Sequence, residues 1–368
     1  AAGAAYAQAP ADAAAVDEVV VTGSRVVRDG YESPTPVSVV GRDEISRSAT
    51  PNIADYVNTL PALSGSSTPT TTSNTVGQGR QGINGANLRG IGLVRTLTLL
   101  DGRRVGGATN DGVVDISELP QQLVQRVDVV TGGASASYGS DALSGVVNFV
   151  LDTKFTGIKG EISGGETTYG DNKNWKAALS YGAGFANDRG HVLLSGEASH
   201  EDGIYRPGNR GWTEANWGFI NNPTYTATNG QPRVLRRQDI VLSTAGFGGG
   251  ITCAVNSTCA SLRGIAFGPG GTPYTIVPGP IVSDPIMSGG TQGDNSIRNN
   301  QDNSMVPKQN RNNLFARVSY DITDDWNVFA EGMWAHLDTD TRYFSGQLAT
   351  GLTVRPDNPY MPADIANR

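Results

Sequence analysis

A long two-residue alternation of apolar and polar side chains, in five segments after residue 152, constrains this chain more than any other feature. Successive side chains of a β-strand point to opposite faces, so the alternation predicts strands with one apolar and one largely polar face. A β-sandwich would alternate too, but small residues and terminal aromatics favour a lipid-facing band with an interfacial girdle. The five predicted strands cover residues 157–165, 174–185, 191–199, 313–322 and 325–335.

The connections between these strands alternate in length. "TYGDNK", "ANDRG" and "DITDDW" are short, whereas the stretch from Glu201 to about Asn310 is very long. Outer-membrane barrels have short periplasmic turns and longer external loops. The pattern therefore predicts an external loop at about residues 205–308. Phe185, Tyr320 and Trp326 lie next to the proposed periplasmic turns, where aromatic residues are common.

Composition excludes several classes of protein. The net charge of −7 and the pI near 5.0 argue against nucleic acid as a partner, because nucleic-acid binding needs basic patches. No apolar run approaches the ~18 residues of a membrane helix, so a membrane location requires strands. His191, His200 and His336 are scattered without a ligand spacing or a nucleophile motif, so no enzyme, metal site or cofactor is expected. Cys253 and Cys259 predict a small loop disulfide in an exported protein, or two free thiols in a cytosolic one.

The first 152 residues mix helix and strand patterns. Thr50-Pro51 predicts an N-cap and first helical residue, with Pro61 ending the helix. Asp101-Gly102 predicts a tight hairpin turn. Further strands are expected at residues 35–40, before Gly132-Gly133, and in "GVVNFVL", with a polar loop over residues 64–87.

An ordered set of these motifs resembles the TonB-dependent receptors of the Gram-negative outer membrane. "NLRGIG" resembles the family's Arg-Gly strand start, and "LTLLDGRRV" resembles its Asp-Gly hairpin. "LVQRVDVVTGGASASYGSDALSGVVNFV" resembles the segment that ends the family's plug domain, although a proline often follows the first glycine there. The resemblance implies an α+β plug domain followed by an antiparallel transmembrane β-barrel. Only about five barrel strands are present, so we expect a fragment of a longer chain that ends in an external loop.

The predicted domain organisation follows from this resemblance. Residues 1–16 are expected to be a signal-peptide remnant or a flexible alanine-rich tail, and residues 17–36 the TonB box and a linker. Residues 37–152 are expected to form the plug domain. Residues 153–368 then form the N-terminal part of the transmembrane barrel, with the long external loop at about 205–308.

The valine-rich segment "DEVVVTGSR" lies where the family has its TonB box. Strand addition requires only an extended, accessible segment, and main-chain hydrogen bonds supply its affinity. The resemblance therefore implies pairing with TonB, the inner-membrane energy-coupling protein. The alternative is a first plug strand that pairs internally. The box comprises Asp17, Glu18, Val19, Val20, Val21, Thr22 and Gly23.

Active import of an extracellular small molecule is the function that the resemblance implies. Ferric siderophores are the family's commonest substrates, followed by glycans and cobalamin-like molecules. Two plug loops should face outward and form a polar floor for the ligand, although each residue alone could be a solvated loop side chain. These residues are Arg80, Gln81, Asn84, Asn87, Thr109, Asn110 and Asp111. A signal-transducing receptor and a passive porin-like channel or adhesin are the rival interpretations.

The two-residue alternation places one glutamate from each of three strands on the polar face, which lines the barrel lumen. These are Glu161, Glu197 and Glu331. A carboxylate there is costly unless it is paired, and arginine can satisfy it with two charge-assisted bonds. We expect at least one of the three to pair with a plug arginine, with Arg89 and Arg126 as candidates. Otherwise the glutamates only contact lumen water and the arginines cap plug turns.

Overall fold

The computed structural model describes two connected parts, a small mixed sheet and a large antiparallel sheet. It describes residues 37–41, 52–73, 79–132, 135–205, 210–246, 248–251, 253, 259–290, 296–298, 303–342, 355 and 357–366. The predicted TonB box, linker and N-terminal tail therefore lie outside the described residues. None of the helices in these ranges is long and apolar enough to cross a membrane.

The N-terminal part contains a five-stranded sheet with strand order β1-β4-β5-β2-β3. Only β2 and β5 pair in parallel; the other neighbours are antiparallel. The strands span Val37–Gly41 (β1), Thr96–Leu100 (β2), Arg103–Arg104 (β3), Val124–Val130 (β4) and Gly145–Leu151 (β5). Short helices accompany them at Ile53–Val57 (α1), Pro69–Thr72 (α2) and Ser135–Tyr138 (α3). We refer to residues 37–152 as the plug.

The plug core forms because its central strands are apolar on both faces. All residues of β2 are buried, as are six of seven in β5 and five of seven in β4, which is the pattern of strands covered on both sides. Helix α1 buries Ile53, Ala54, Tyr56 and Val57 against this sheet. The largest fully buried side chains of the plug are Val57, Leu63, Leu88, Leu99, Ile116, Leu119, Leu123, Val127 and Phe149.

Two features of the plug connections test the predictions directly. Asp101 and Gly102 have φ of +48° and +72°, the left-handed pair that a two-residue hairpin turn requires. Asp101 Oδ1 also accepts a hydrogen bond from Leu151 N at 2.8 Å, which ties the turn to β5. The predicted helix cap is wrong in position, because Asn52 caps α1 by accepting from Ala54 N. The predicted cap, Thr50, lies outside the described residues.

The second part is a five-stranded antiparallel sheet with strand order β18-β17-β8-β7-β6. All five predicted strands are present, and the sheet is open over the described residues. They span Gly157–Gly165 (β6), Asn174–Phe185 (β7), Gly190–Glu201 (β8), Lys308–Thr323 (β17) and Trp326–Asp340 (β18). We call this sheet the wall. One of its faces packs against the plug.

Burial along the wall follows the predicted parity. Ile158 and Ile162 of β6 are 75% and 90% exposed, and Leu179 of β7 is also exposed. Their neighbours on the opposite face, such as Ser180, are buried against the plug. The apolar side chains of the wall therefore face away from the protein, which inverts the arrangement of a soluble sheet.

Small strands and a helix fill the described parts of the long loop between β8 and β17. Helix α4 spans Gly211–Glu214, and Cys253 forms a disulfide with Cys259. The strands are Gly218–Asn221 (β9), Val234–Arg237 (β10), Ile240–Gly246 (β11), Ile265–Phe267 (β12), Pro273–Thr275 (β13), Ile281–Ser283 (β14), Ile286–Ser288 (β15) and Ser296–Arg298 (β16). A last short helix, α5, spans Ala363–Ala366.

Candidate functional site: the plug apex and its contacts with the wall

Two plug loops, residues 79–84 and 107–115, meet at one end of the plug, which we call the apex. Arg80 of the first loop forms an ion pair with Asp111 of the second. Thr109 Oγ1 donates to the other carboxylate oxygen of Asp111 at 2.6 Å. The hydrogen bond from Arg80 holds the pKa of Asp111 below its ordinary value, so this carboxylate stays charged. The apex thus presents fixed charges of both signs.

A cavity of about 640 Å³ lies between the apex and β18. Gln81, Ala108 and Glu118 line its plug side, and Leu337 and Thr339 line its wall side. The pKa of Glu118 is raised to about 7, chiefly by burial and also by nearby Asp115, while Arg311 opposes both effects. The cavity therefore contains a carboxyl group that titrates near neutral pH.

The other predicted ligand residues are arranged differently. Asn84 is only 2% exposed, and its side-chain amide donates to Ser117 Oγ at 2.7 Å inside the plug. Asn87 donates to Gly65 O and accepts from Gly92 N, so it organises its own loop. Asn110 is exposed at the apex. At the apex the structure thus brings together Arg80, Gln81, Thr109, Asn110 and Asp111. Asn84 and Asn87 instead form hydrogen bonds inside the plug.

Arg103, just after the hairpin turn, joins the plug to the wall. Its Nη2 lies 2.9 Å from Glu331 Oε2 on β18, and Arg317 of β17 contacts the same oxygen at 3.0 Å. Both guanidinium groups also lie over the ring of Phe329, at 4.4 and 4.3 Å from its centroid. Glu331 and the ring of Phe329, both on the wall, therefore hold the plug residue Arg103 next to the wall residue Arg317.

Glu161 and Glu197 also lie on the plug-facing side of the wall. Lys176 of β7 lies 3.8 Å from Glu161 and 3.4 Å from Glu197, so a wall lysine serves both carboxylates. The plug contributes Gln121, whose side-chain amide donates to Glu197 at 3.2 Å. Of these contacts, the Gln121–Glu197 hydrogen bond joins plug and wall, and the two lysine pairs lie within the wall.

Aromatic side chains mark two levels on the outer face of the wall. Trp175 and Phe185, at the two ends of β7, are 49% and 42% exposed. Ten residues apart, they are separated by roughly 26 Å along the membrane normal for a strand tilted by about 40°. The apolar band of an outer-membrane barrel is about 25 Å tall. Phe185 stacks on Tyr320 of β17 at a centroid distance of 6.3 Å, which continues the lower level.

The family model described as the TonB-dependent receptor plug domain matches residues 29–146. This range contains the plug sheet, the hairpin and both apical loops. The chain carries a TonB-dependent receptor plug domain. Receptors with this domain lie in the outer membrane of Gram-negative bacteria, and this chain is assigned to the same location.

Solved structures similar to the chain include three siderophore receptors. The siderophore receptor PirA from Pseudomonas aeruginosa is 15% identical with a TM-score of 0.41, covering 82% of this chain and 35% of its own. A mutant of the ferric enterobactin receptor PfeA from the same organism, in complex with enterobactin, is 14% identical with a TM-score of 0.47, covering 83% and 33%. PirA from Acinetobacter baumannii is 16% identical with a TM-score of 0.41, covering 82% and 40%. The chain thus spans only 33–40% of the length of these receptors.

The plug arginine that contacts Glu331 is Arg103, not either residue named from the sequence. Arg89 donates to Thr131 O at 3.3 Å, and Arg126 pairs with Asp128 at 3.1 Å, both inside the plug. The choice failed because it rested on family motifs, and those motifs maintain the plug fold. The useful sequence pattern was a cation directly after a hairpin turn, since a turn tip projects from a sheet.

Sequence reasoning also missed Asp115 and Arg311, a plug carboxylate and a wall guanidinium 3.1 Å apart. The predicted strand began at Asn313, but β17 begins at Lys308. Extending the alternation by two residues would have placed Arg311 on the plug-facing side with Asn313. Nothing in the sequence singles out Asp115 among the polar residues of its loop.

Proposed function

We propose that this chain is the plug-containing part of an outer-membrane receptor that imports a scarce extracellular molecule with energy supplied through TonB. The plug domain at residues 29–146, packed against the polar face of a wall whose other face is apolar, carries this proposal. A plug inside such a wall obstructs passage, so transport requires that it be displaced.

Ligand would bind first at the apex. Arg80 and Asp111 offer a cation and an anion, and Gln81, Thr109 and Asn110 add neutral donors and acceptors. Small-molecule sites commonly combine a few convergent polar groups of this kind. We propose a ferric siderophore as the substrate, because it is the commonest substrate class of the family, with a glycan or a cobalamin-like molecule next.

Energy coupling would act through residues 17–23, the proposed TonB box. An added strand forms main-chain hydrogen bonds worth roughly 0.5–1.5 kcal/mol each, so a five-residue pairing can form, transmit a pull and release. The pull would reach the plug through β1, which lies at an edge of the plug sheet and pairs with β4. The chain is proposed to be a transporter rather than an enzyme.

The direct test compares uptake in cells with and without TonB. Cells that lack their own siderophore receptors would express the intact receptor and receive a panel of ⁵⁵Fe-loaded siderophores, including ferric enterobactin. The proposal predicts surface binding in both strains and accumulation only when TonB is present. Equal uptake in both strains would indicate a passive channel. Binding without uptake in either strain, together with ligand-dependent transcription, would indicate a signalling receptor.

A further inference from the structure

The bases of the two apical loops meet at one buried carboxylate, Asp115. The side chain of Asp115 is fully buried, and its Oδ1 accepts hydrogen bonds from Asn84 N at 3.1 Å and Ser117 N at 3.0 Å. Asn84 ends the first apical loop, and Ser117 follows the second. The carboxylate therefore ties the two loops together below the Arg80–Asp111 pair.

Arg311 of the wall completes this junction. Its Nη1 lies 3.1 Å from Asp115 Oδ2, and its Nη2 donates to Gly82 O, in the first loop, at 3.3 Å. The Arg311 side chain is only 5% exposed. One guanidinium group from β17 thus contacts both apical loops, which the planar, multi-donor geometry of arginine allows.

The packing around Arg311 leaves these loops little room to shift. Gln309 Nε2 donates to the same Gly82 carbonyl at 2.7 Å. Gly82 has φ of +79°, and a Cβ there would come within 2.0 Å of Gln309 Nε2, so the first loop lies directly against the wall. Asn313 Nδ2 donates to Ser117 O at 2.8 Å, which fixes the second loop from the same strand.

We propose that Arg311 is a positioning residue that sets the geometry of the plug apex from the wall. It holds the first loop through Gly82 and the second through Asp115, and so keeps Arg80 opposite Asp111. This inference rests on the proposed function in one respect only: the apex must be the ligand floor for the positioning to matter to transport. The positioning itself is a property of the folded chain without ligand.

The physical reason for a shared effect on both loops is the burial of Asp115. A buried carboxylate that loses its cationic partner, here the one cation that pairs with Asp115 among the described residues, becomes unfavourable, and the structure relaxes to expose it. Because Asp115 Oδ1 bonds to both loops, that relaxation loosens both. A lysine at position 311 would keep the charge next to Asp115, although it lacks the second contact at Gly82.

Hydrogen–deuterium exchange of the full chain in detergent micelles tests this proposal without a ligand. In Arg311→Met we expect the protected amides of both loops to exchange at least tenfold faster, including Gly82, Asn84, Ala108 and Val113. Amides of β2 and β5 should change less than twofold. In Arg311→Lys, exchange in the second loop should return to within threefold of wild type.

Arg317→Met is the matched control, since it removes a cation from the plug-facing side of the same strand at a site whose ion-pair partners are Glu331 and Asp101. It should leave both apical loops within twofold of wild type. If Arg311→Met unfolds the plug, Asp115→Asn tests the same pair from the other side, because it leaves the buried Arg311 guanidinium without its carboxylate; faster exchange in both loops is again expected. Faster exchange in one loop only, in neither loop, or equally across the plug sheet would overturn the proposal. If exchange in the variants changes as expected but uptake by the intact receptor does not depend on TonB, only the proposed function is contradicted.

Discussion

Single carboxylates at the plug apex differ in charge state because their neighbours differ. Asp111 faces Arg80 and has a lowered pKa, whereas Glu118 is partly buried beside Asp115 and has a pKa of about 7. The sequence reveals neither shift, since both depend on loops that meet only in the folded plug. The alternation along the strand did predict that Glu331 faces the plug. Its partner, Arg103, could not be predicted, because that contact depends on the direction in which the hairpin projects from the plug sheet.

Glu118 should make plug stability depend on pH. Its pKa is raised from 4.5 to about 7, so between these values the unfolded chain loses a proton that the folded chain keeps. The free energy of unfolding therefore falls as pH rises through this range, by about 1–2 kcal/mol after allowance for the partial exposure of Glu118. Urea unfolding of the plug at pH 5 and pH 7.5 measures this loss. Glu118→Gln should remove this contribution and so lose less stability than wild type over this range, while Glu166→Gln, in an exposed connection, should show the wild-type loss. Equal loss in both variants would contradict the assignment.

At the scale of elements, strands with a two-residue period were predictable and loops were not. The alternation along β7 and β17 determines which side chains contact the plug. It therefore predicted both that these segments are strands and which face of each is turned to the plug. The cap of α1 was misplaced by two residues because Thr50 and Asn52 are both good caps. The strands β9–β16 were not predicted, because most of them are only three or four residues long, too short to show a two-residue period.

The outward face of the wall gives a prediction for a single strand. Leu179 lies midway along β7 and is 59% exposed, so Leu179→Arg would place a charge at the bilayer midplane. That substitution should destabilise the membrane-inserted state by about 2–4 kcal/mol. Heat-modifiable migration and the yield of membrane-inserted protein would measure the effect. Tyr225→Arg, at a 41% exposed position in the long loop, should leave both unchanged. Normal insertion of Leu179→Arg would contradict a lipid-facing surface.

The whole molecule combines a plug and a wall, and we propose that a coupling segment precedes them. Plug and wall are joined by the buried contacts of Arg311 near the apex, by the Gln121–Glu197 bond, and by the more exposed Arg103–Glu331 pair near the hairpin. The edge strand β1 connects this assembly to the N-terminal residues that we propose as the TonB box. The central claim is that transport depends on a pull through that segment.

Val20→Pro tests this claim most directly. Proline removes a backbone donor and fixes φ, so it disrupts strand addition at the proposed box without touching the described plug. Ala14→Pro, six residues earlier in the N-terminal tail, is the matched control. For whichever ferric siderophore binds the cells, we expect wild-type binding in both variants, with uptake abolished in Val20→Pro and unchanged in Ala14→Pro. Uptake at the wild-type rate in Val20→Pro would contradict it.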